Sequence, residues 1–177
     1  MKKISLDANA VLDFCYRFYG NEIFIKLWAD LESAVISKQI CFYITPSILE
    51  EIKLYIHQHE LDASKFEIFI SINKVLFPTS DEFGSYTVEL KELLLGCKAA
   101  INSPHVRRDN YGDADIVSFA KSKGKDAVVL TSETIFKALN WENPKHKDHI
   151  KVPNLCALSG VECLNWFGLL DYLGQKY

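Results

Sequence analysis

Three short apolar runs, Lys3–Leu6, Ile40–Ile44 and Asp126–Thr131, do most to limit how this chain folds. Each is too short for a stable helix and reads as a strand, the last two as buried ones. Between them lie longer segments with apolar residues at helical spacing. The first runs from Ala8 through Val11, Leu12, Phe14, Cys15 and Phe18 and stops near Gly20. The second spans Glu22 to Lys38, with Ile23, Phe24, Leu27, Leu31, Ala34 and Val35 on one face. A third begins at Thr45-Pro46, where proline suits a first turn, and buries Ile48, Leu49, Ile52, Tyr55 and Ile56. Residues 60–101 are helical in pattern, broken at Phe77-Pro78-Thr79. Strands alternating with helices predict an open α/β sheet. A length of 177 residues suits one domain, 1–177, with a real core.

The acids are placed unevenly on this pattern. Asp7 stands at the end of the first strand, where open α/β sheets present site residues. It shares the helix start with Asn9, a natural N-cap, so capping alone also accounts for the pair. In Gly112–Ala120, Ile116, Val117 and Ala120 gather on one face, and Asp113 lies over the middle of it. A carboxylate aimed at a core is costly unless something pairs with it. Capping beside Gly112 is the alternative. Asp115 falls about 150° from that centre, among solvent-facing positions. On the third helix Glu51 lies at the edge of the buried face and Glu50 in solvent; interaction with the helix dipole would also explain Glu51. Glu133 follows the third strand closely. If the strands are parallel and adjacent, Asp7, Glu51, Asp113 and Glu133 converge at one sheet edge. Clustered carboxylates repel unless protonated or bridged by cations, and hard oxygen ligands select Mg²⁺ or Mn²⁺.

The remaining segments carry weaker signals. Asn102–Gly112 is a polar loop whose Arg107 and Arg108 would contact phosphates or simply face solvent, the commoner fate of a short charge cluster. Residues 140–149 read as a loop, Ile150–Pro153 as a last short edge strand, and the C-terminus as a helix with Leu164, Phe167, Leu170 and Leu173 facing inward. A net charge of −3 argues against a broadly basic nucleic-acid-coating surface. The five cysteines form an odd set with no CxxC, so core thiols in a reducing cytoplasm are expected, and they share no zinc-ligand spacing with the histidines. No signal peptide and no apolar window of membrane-spanning length is present, so no membrane contact is expected.

The order Asp7-x-Asn9, Thr45-Pro46-x-x-x-x-Glu51-Ile52, Asp113-x-x-Ile116-x-x-x-Ala120 and Thr131-x-Glu133 resembles the PIN domain. The tail, Val152–Cys156 and Gly160–Asn165, is similar to a subgroup of uncharacterised PIN-like proteins often encoded beside a metallopeptidase-like presumed antitoxin. The resemblance implies a three-layer α/β/α sandwich around a central, mostly parallel sheet. It implies a Mg²⁺- or Mn²⁺-dependent endoribonuclease acting on single-stranded or structured RNA, as the toxin of a toxin–antitoxin pair. A cognate antitoxin and a homodimer are the partners it suggests. Asp7, Glu51, Asp113 and Glu133 would bind the metal and the attacking water, while Asn9 and Thr131 would orient carboxylates or phosphate. The last acid is commonly aspartate in PIN domains and is Glu133 here. Two other readings compete: a non-catalytic PIN-fold interaction module, and phosphoryl transfer through Asp7, which would want an acid where Asn9 stands.

Overall fold

A computed structural model describes residues 1–101, 103, 106 and 111–175. Arg107 and Arg108 lie outside the described residues. Strand β1 (Lys2–Leu6) runs through the middle of a four-stranded sheet. It pairs in parallel with β2 (Ile40–Tyr43) on one side and β3 (Ala127–Leu130) on the other. The outer strand β4 (Glu162–Leu164) pairs in parallel with β3, giving the order β2-β1-β3-β4. The sheet is therefore wholly parallel, and helices cover it in a three-layer α/β/α arrangement. Parallel strands need crossover connections, and the alternating helical segments supply them.

Helix α1 (Ala8–Leu12) leaves β1 directly and widens into a π turn over Asp13–Arg17. Then come α2 (Ile25–Ile36), α3 (Pro46–Gln58), α4 (Ala63–Ile72) and α5 (Gly84–Leu95). Helix α6 (Gly112–Lys123) packs on β1 and β3. It stops at Gly124, whose φ of +78° provides the tight link into β3 that a side chain would strain. Helices α7 (Val152–Ser159) and α8 (Trp166–Tyr172) flank β4.

The core centres on Phe14, fully buried, with ring centroids 4.4 Å from Trp166, 4.9 Å from Trp28 and 5.5 Å from Phe69. The Trp166 indole N–H donates to the Ala10 carbonyl at 2.9 Å, so its polar atom is satisfied inside the core. This cluster joins α1, α2, α4 and α8 and fixes where α1 leaves the sheet. None of the five cysteines is in a disulfide; Cys15 and Cys156 are buried.

Four expectations fail here, each for a local reason. Ile150–Pro153 is not an edge strand: Pro153 sits in the first turn of α7, and the edge position belongs to β4. Leu164 lies in β4, and Phe167 is 71% exposed, because Trp166, Leu169 and Leu170 form the inward face of α8. Helix α2 starts only at Ile25, which leaves Ile23 80% exposed. Asp115 does not face open solvent. Its carboxylate accepts hydrogen bonds from the hydroxyls of Ser47 and Thr87, the latter at 3.2 Å, and so ties α6 to α3 and α5. Among the described residues no helix is long and apolar enough to cross a membrane.

Candidate active site

The register of the sheet builds the site. Leu6 on β1 is the partner of Leu130 on β3, so the next residues, Asp7 and Thr131, emerge side by side. The Asp7 backbone N–H donates to the Leu130 carbonyl at 2.9 Å. The Thr131 hydroxyl donates to an Asp7 carboxylate oxygen at 2.6 Å. Asp7 occupies the N-cap position of α1, yet its side chain makes no cap hydrogen bond. Capping therefore does not account for this buried carboxylate. Asn9 is not the N-cap; it lies inside the first turn, because the extended backbone at Asp7 starts the helix two residues earlier than expected. Its side chain lines a cavity of about 380 Å³ instead.

Asp113 is the second residue of α6 and borders the same cavity. Position Tyr111 is the N-cap, and no side chain caps this helix. Half-buried at its surface and densely ringed by protein, Asp113 takes no hydrogen bond among the described residues. Gly112 sets its approach to α3. A Cβ there would come 3.0 Å from Ile48 Cδ1, a tight contact, and 3.6 Å from Glu51 Oε2, an ordinary one, so a side chain at this position would crowd Ile48 at the start of α6. Glu51 is exposed as a whole residue, but its carboxylate turns in beside Gly112 on the cavity wall, while Glu50 points to solvent.

Glu133 reaches the cavity from the loop after β3. Its backbone N–H donates to Thr131 Oγ1 at 3.1 Å. One carboxylate oxygen lies 3.2 Å from Lys151 Nζ, and the other accepts the Val152 backbone N–H at 2.8 Å. Glu133 thus holds the N-terminus of α7, where a carboxylate is favoured by the unpaired N–H groups and the helix dipole.

These placements make a strongly acidic recess. Burial raises the Asp7 carboxyl to about 7; the Thr131 hydrogen bond opposes this, and the charges of Glu133 and Glu51 add to it. Burial likewise raises Asp113 to about 8, with the charges of Asp7, Glu133 and Glu51 adding and Lys151 opposing. Glu51 is raised by burial and then by Glu133. All four predicted acids therefore act on one another, with Asp7 behind the cavity and the other three around it. Among the described residues no three acid, histidine or cysteine side chains already meet at ion-gripping distance.

A family model described as a domain of unknown function, DUF4411, matches residues 4–177. The chain belongs to the DUF4411 family. No curated protein matches it. In this DUF4411 chain the cavity wall also includes Tyr111, Lys147 and Lys151, none of which the sequence singled out. Lys147 lies in a stretch that reads as a loop in sequence but forms a 3₁₀ turn, Pro144–His149, while Lys151, in the stretch read as an edge strand, is the N-cap residue of α7. The signals present were Asn143, whose side chain accepts the Lys145 N–H at 3.1 Å, and Pro153 in the first turn of a helix.

Proposed function

We propose that this DUF4411 protein is a metal-dependent nuclease that hydrolyses phosphodiester bonds of RNA. One observation carries the reading: two carboxyls, Asp7 and Asp113, are held in protein at the end of a parallel sheet, and two further acids around the same recess raise both. Such a recess stores an electrostatic cost that a divalent cation relieves. The donor set is all oxygen, which suits Mg²⁺ or Mn²⁺ rather than a soft metal. The motif order that resembles PIN domains supports the same chemistry.

Asp7 and Asp113 would hold the ion, with Glu51 and Glu133 completing the donor set. A bound ion of this kind supplies charge against a phosphodiester oxygen and makes water a stronger nucleophile at neutral pH. The residues have distinct tasks. Thr131 fixes one Asp7 oxygen and so sets the direction of the other. Glu51, exposed at the mouth and raised, is suited to orient an attacking water and take its proton. Asn9 offers an amide to a phosphate oxygen from the first turn of α1. The cavity is open enough for a strand end or a splayed single strand. A cognate antitoxin would act most simply by covering this mouth.

The test is cleavage of mixed single-stranded RNA by purified protein with Mn²⁺, with Mg²⁺ and with EDTA, beside Asp113→Asn. Metal-dependent cleavage that is lost in Asp113→Asn is expected. Cleavage that survives in the variant would point to a contaminant or another site. Absence of both cleavage and Mn²⁺ binding would leave a non-catalytic interaction module.

A further inference from the structure

The cavity wall carries cations as well as acids: Glu51, Asp113, Glu133 and Asp148 share it with Lys147 and Lys151. Lys151 is the one that engages the acids. Its Nζ lies 3.2 Å from a Glu133 oxygen, and its charge lowers the Asp113 carboxyl against the push of the other acids. Its side chain remains 46% exposed, so it is able to swing without unpacking the core. The other Glu133 oxygen is fixed by the Val152 N–H, so freeing Lys151 leaves Glu133 in place.

We propose that Lys151 is a positioning residue with two stations: it is the built-in counter-ion of the acidic recess without metal, and a phosphate-binding cation once a divalent ion is present. The inference rests on the metal-dependent nuclease reading. With a divalent cation held by Asp113 and Glu133, Lys151 would no longer be needed as their counter-ion and its ammonium would be released from Glu133. The released ammonium would stay on the wall of the same cavity, which Lys147 also lines, available to a phosphate of the bound strand. An ammonium on a flexible stem suits such a relay as a mobile point charge. The two lysines would give a chain of net charge −3 a local positive contact for a polyanion on an otherwise acidic wall.

The experiment is a calorimetric titration of MnCl₂ into the wild-type chain, Lys151→Gln and Lys151→Arg. It is paired with binding of a short fluorescein-labelled oligouridylate in EDTA and in Ca²⁺ across a salt series. Lys151→Gln is expected to bind Mn²⁺ about fivefold or more tightly than wild type, because the competing charge is gone; Lys151→Arg should restore wild-type affinity. In Ca²⁺ the Gln variant should lose about 0.7 from the slope of log K against log salt, the loss of one single-strand phosphate contact. In EDTA the slope should not change. Equal Mn²⁺ affinity in wild type and Lys151→Gln overturns the two-station role and leaves the nuclease reading standing. Slope loss in EDTA as large as in Ca²⁺ also overturns it, because Lys151 would then reach phosphate without being released. No Mn²⁺ heat with any of the three chains overturns the metal reading, and the inference falls with it.

Discussion

Replacing Asp7 with asparagine should stabilise the metal-free chain, and more so as pH rises. A carboxyl raised from 3.8 to about 7 costs the folded chain roughly 4 kcal/mol once both folded and unfolded states are ionised. The sign follows from proton counts. The folded chain binds more protons than the unfolded chain between the two values, so stability falls as pH rises from about 4 through about 7 and levels off above. Asparagine keeps an oxygen for the Thr131 hydroxyl, which now donates at 2.6 Å, and cannot ionise. Its removal of charge also relieves Asp113, whose carboxyl is raised partly by Asp7. Urea unfolding in EDTA at about pH 5 and about pH 8.5 should show the gap between Asp7→Asn and wild type widening by roughly 2–3 kcal/mol. For a chain of this size that is on the order of 5–10 °C in melting temperature. Each chain serves as the other's control for every other titrating group. A gap that stays constant with pH, or a variant less stable than wild type at the higher pH, would refute the account of Asp7 as a strained buried acid.

Other substitutions separate neighbouring roles. Asp115→Asn should cost about 1–2 kcal/mol in urea unfolding by weakening the Ser47 and Thr87 brace. It should leave Mn²⁺ binding by calorimetry unchanged, whereas Asp113→Asn should abolish binding. Thr131→Val removes the hydrogen bond that lowers the Asp7 carboxyl. It should move the Asp7 titration, followed by carboxyl-carbon NMR, to higher pH and cost about 1 kcal/mol. Gly112→Val adds a Cβ 3.0 Å from Ile48 Cδ1 and 3.6 Å from Glu51 Oε2, with two further methyls beyond it. Mn²⁺ affinity should fall at least about tenfold as α6 and α3 part, with a stability loss of about 1–3 kcal/mol. Phe14→Ala opens the aromatic hub and should cost about 3–5 kcal/mol by the same unfolding assay.

The first three strands and the acids that follow β1 and β3 were legible because each signal is local, whereas β4, whose Leu164 reads as part of a helix, was not. A four- or five-residue apolar run followed by a polar residue reads as a buried strand without knowledge of its neighbours. Helical phase picked out Asp113 and Glu51, rather than Asp115 and Glu50, as the acids on the cavity wall. The fate of Asp115 was not legible, because a hydroxyl from α3 and another from α5 reach it across 68 and 28 residues of chain. The two lysines on the cavity wall were missed for the same reason. Nothing near Lys151 in sequence announces that Glu133 will meet it across the start of α7.

Glu133 shows how the two kinds of information meet. In sequence it stands out as a departure, one methylene longer than the aspartate common in the family it resembles. In space that length is used: one oxygen reaches Lys151 and the other the N–H of Val152. A shorter carboxylate on the same backbone would struggle to span both. Glu133→Asp therefore tests whether the extra reach serves the α7 terminus or the recess. If it serves the terminus, urea unfolding should show a loss of about 1–2 kcal/mol with little change in Mn²⁺ affinity. If it serves the recess, the shortened acid should leave Lys151 free and shift Mn²⁺ affinity while stability holds. Both contacts are in place and Glu133 also belongs to the proposed donor set, so Glu133→Asp is expected to lower stability and change Mn²⁺ affinity together; an unchanged Mn²⁺ affinity would remove Glu133 from that donor set.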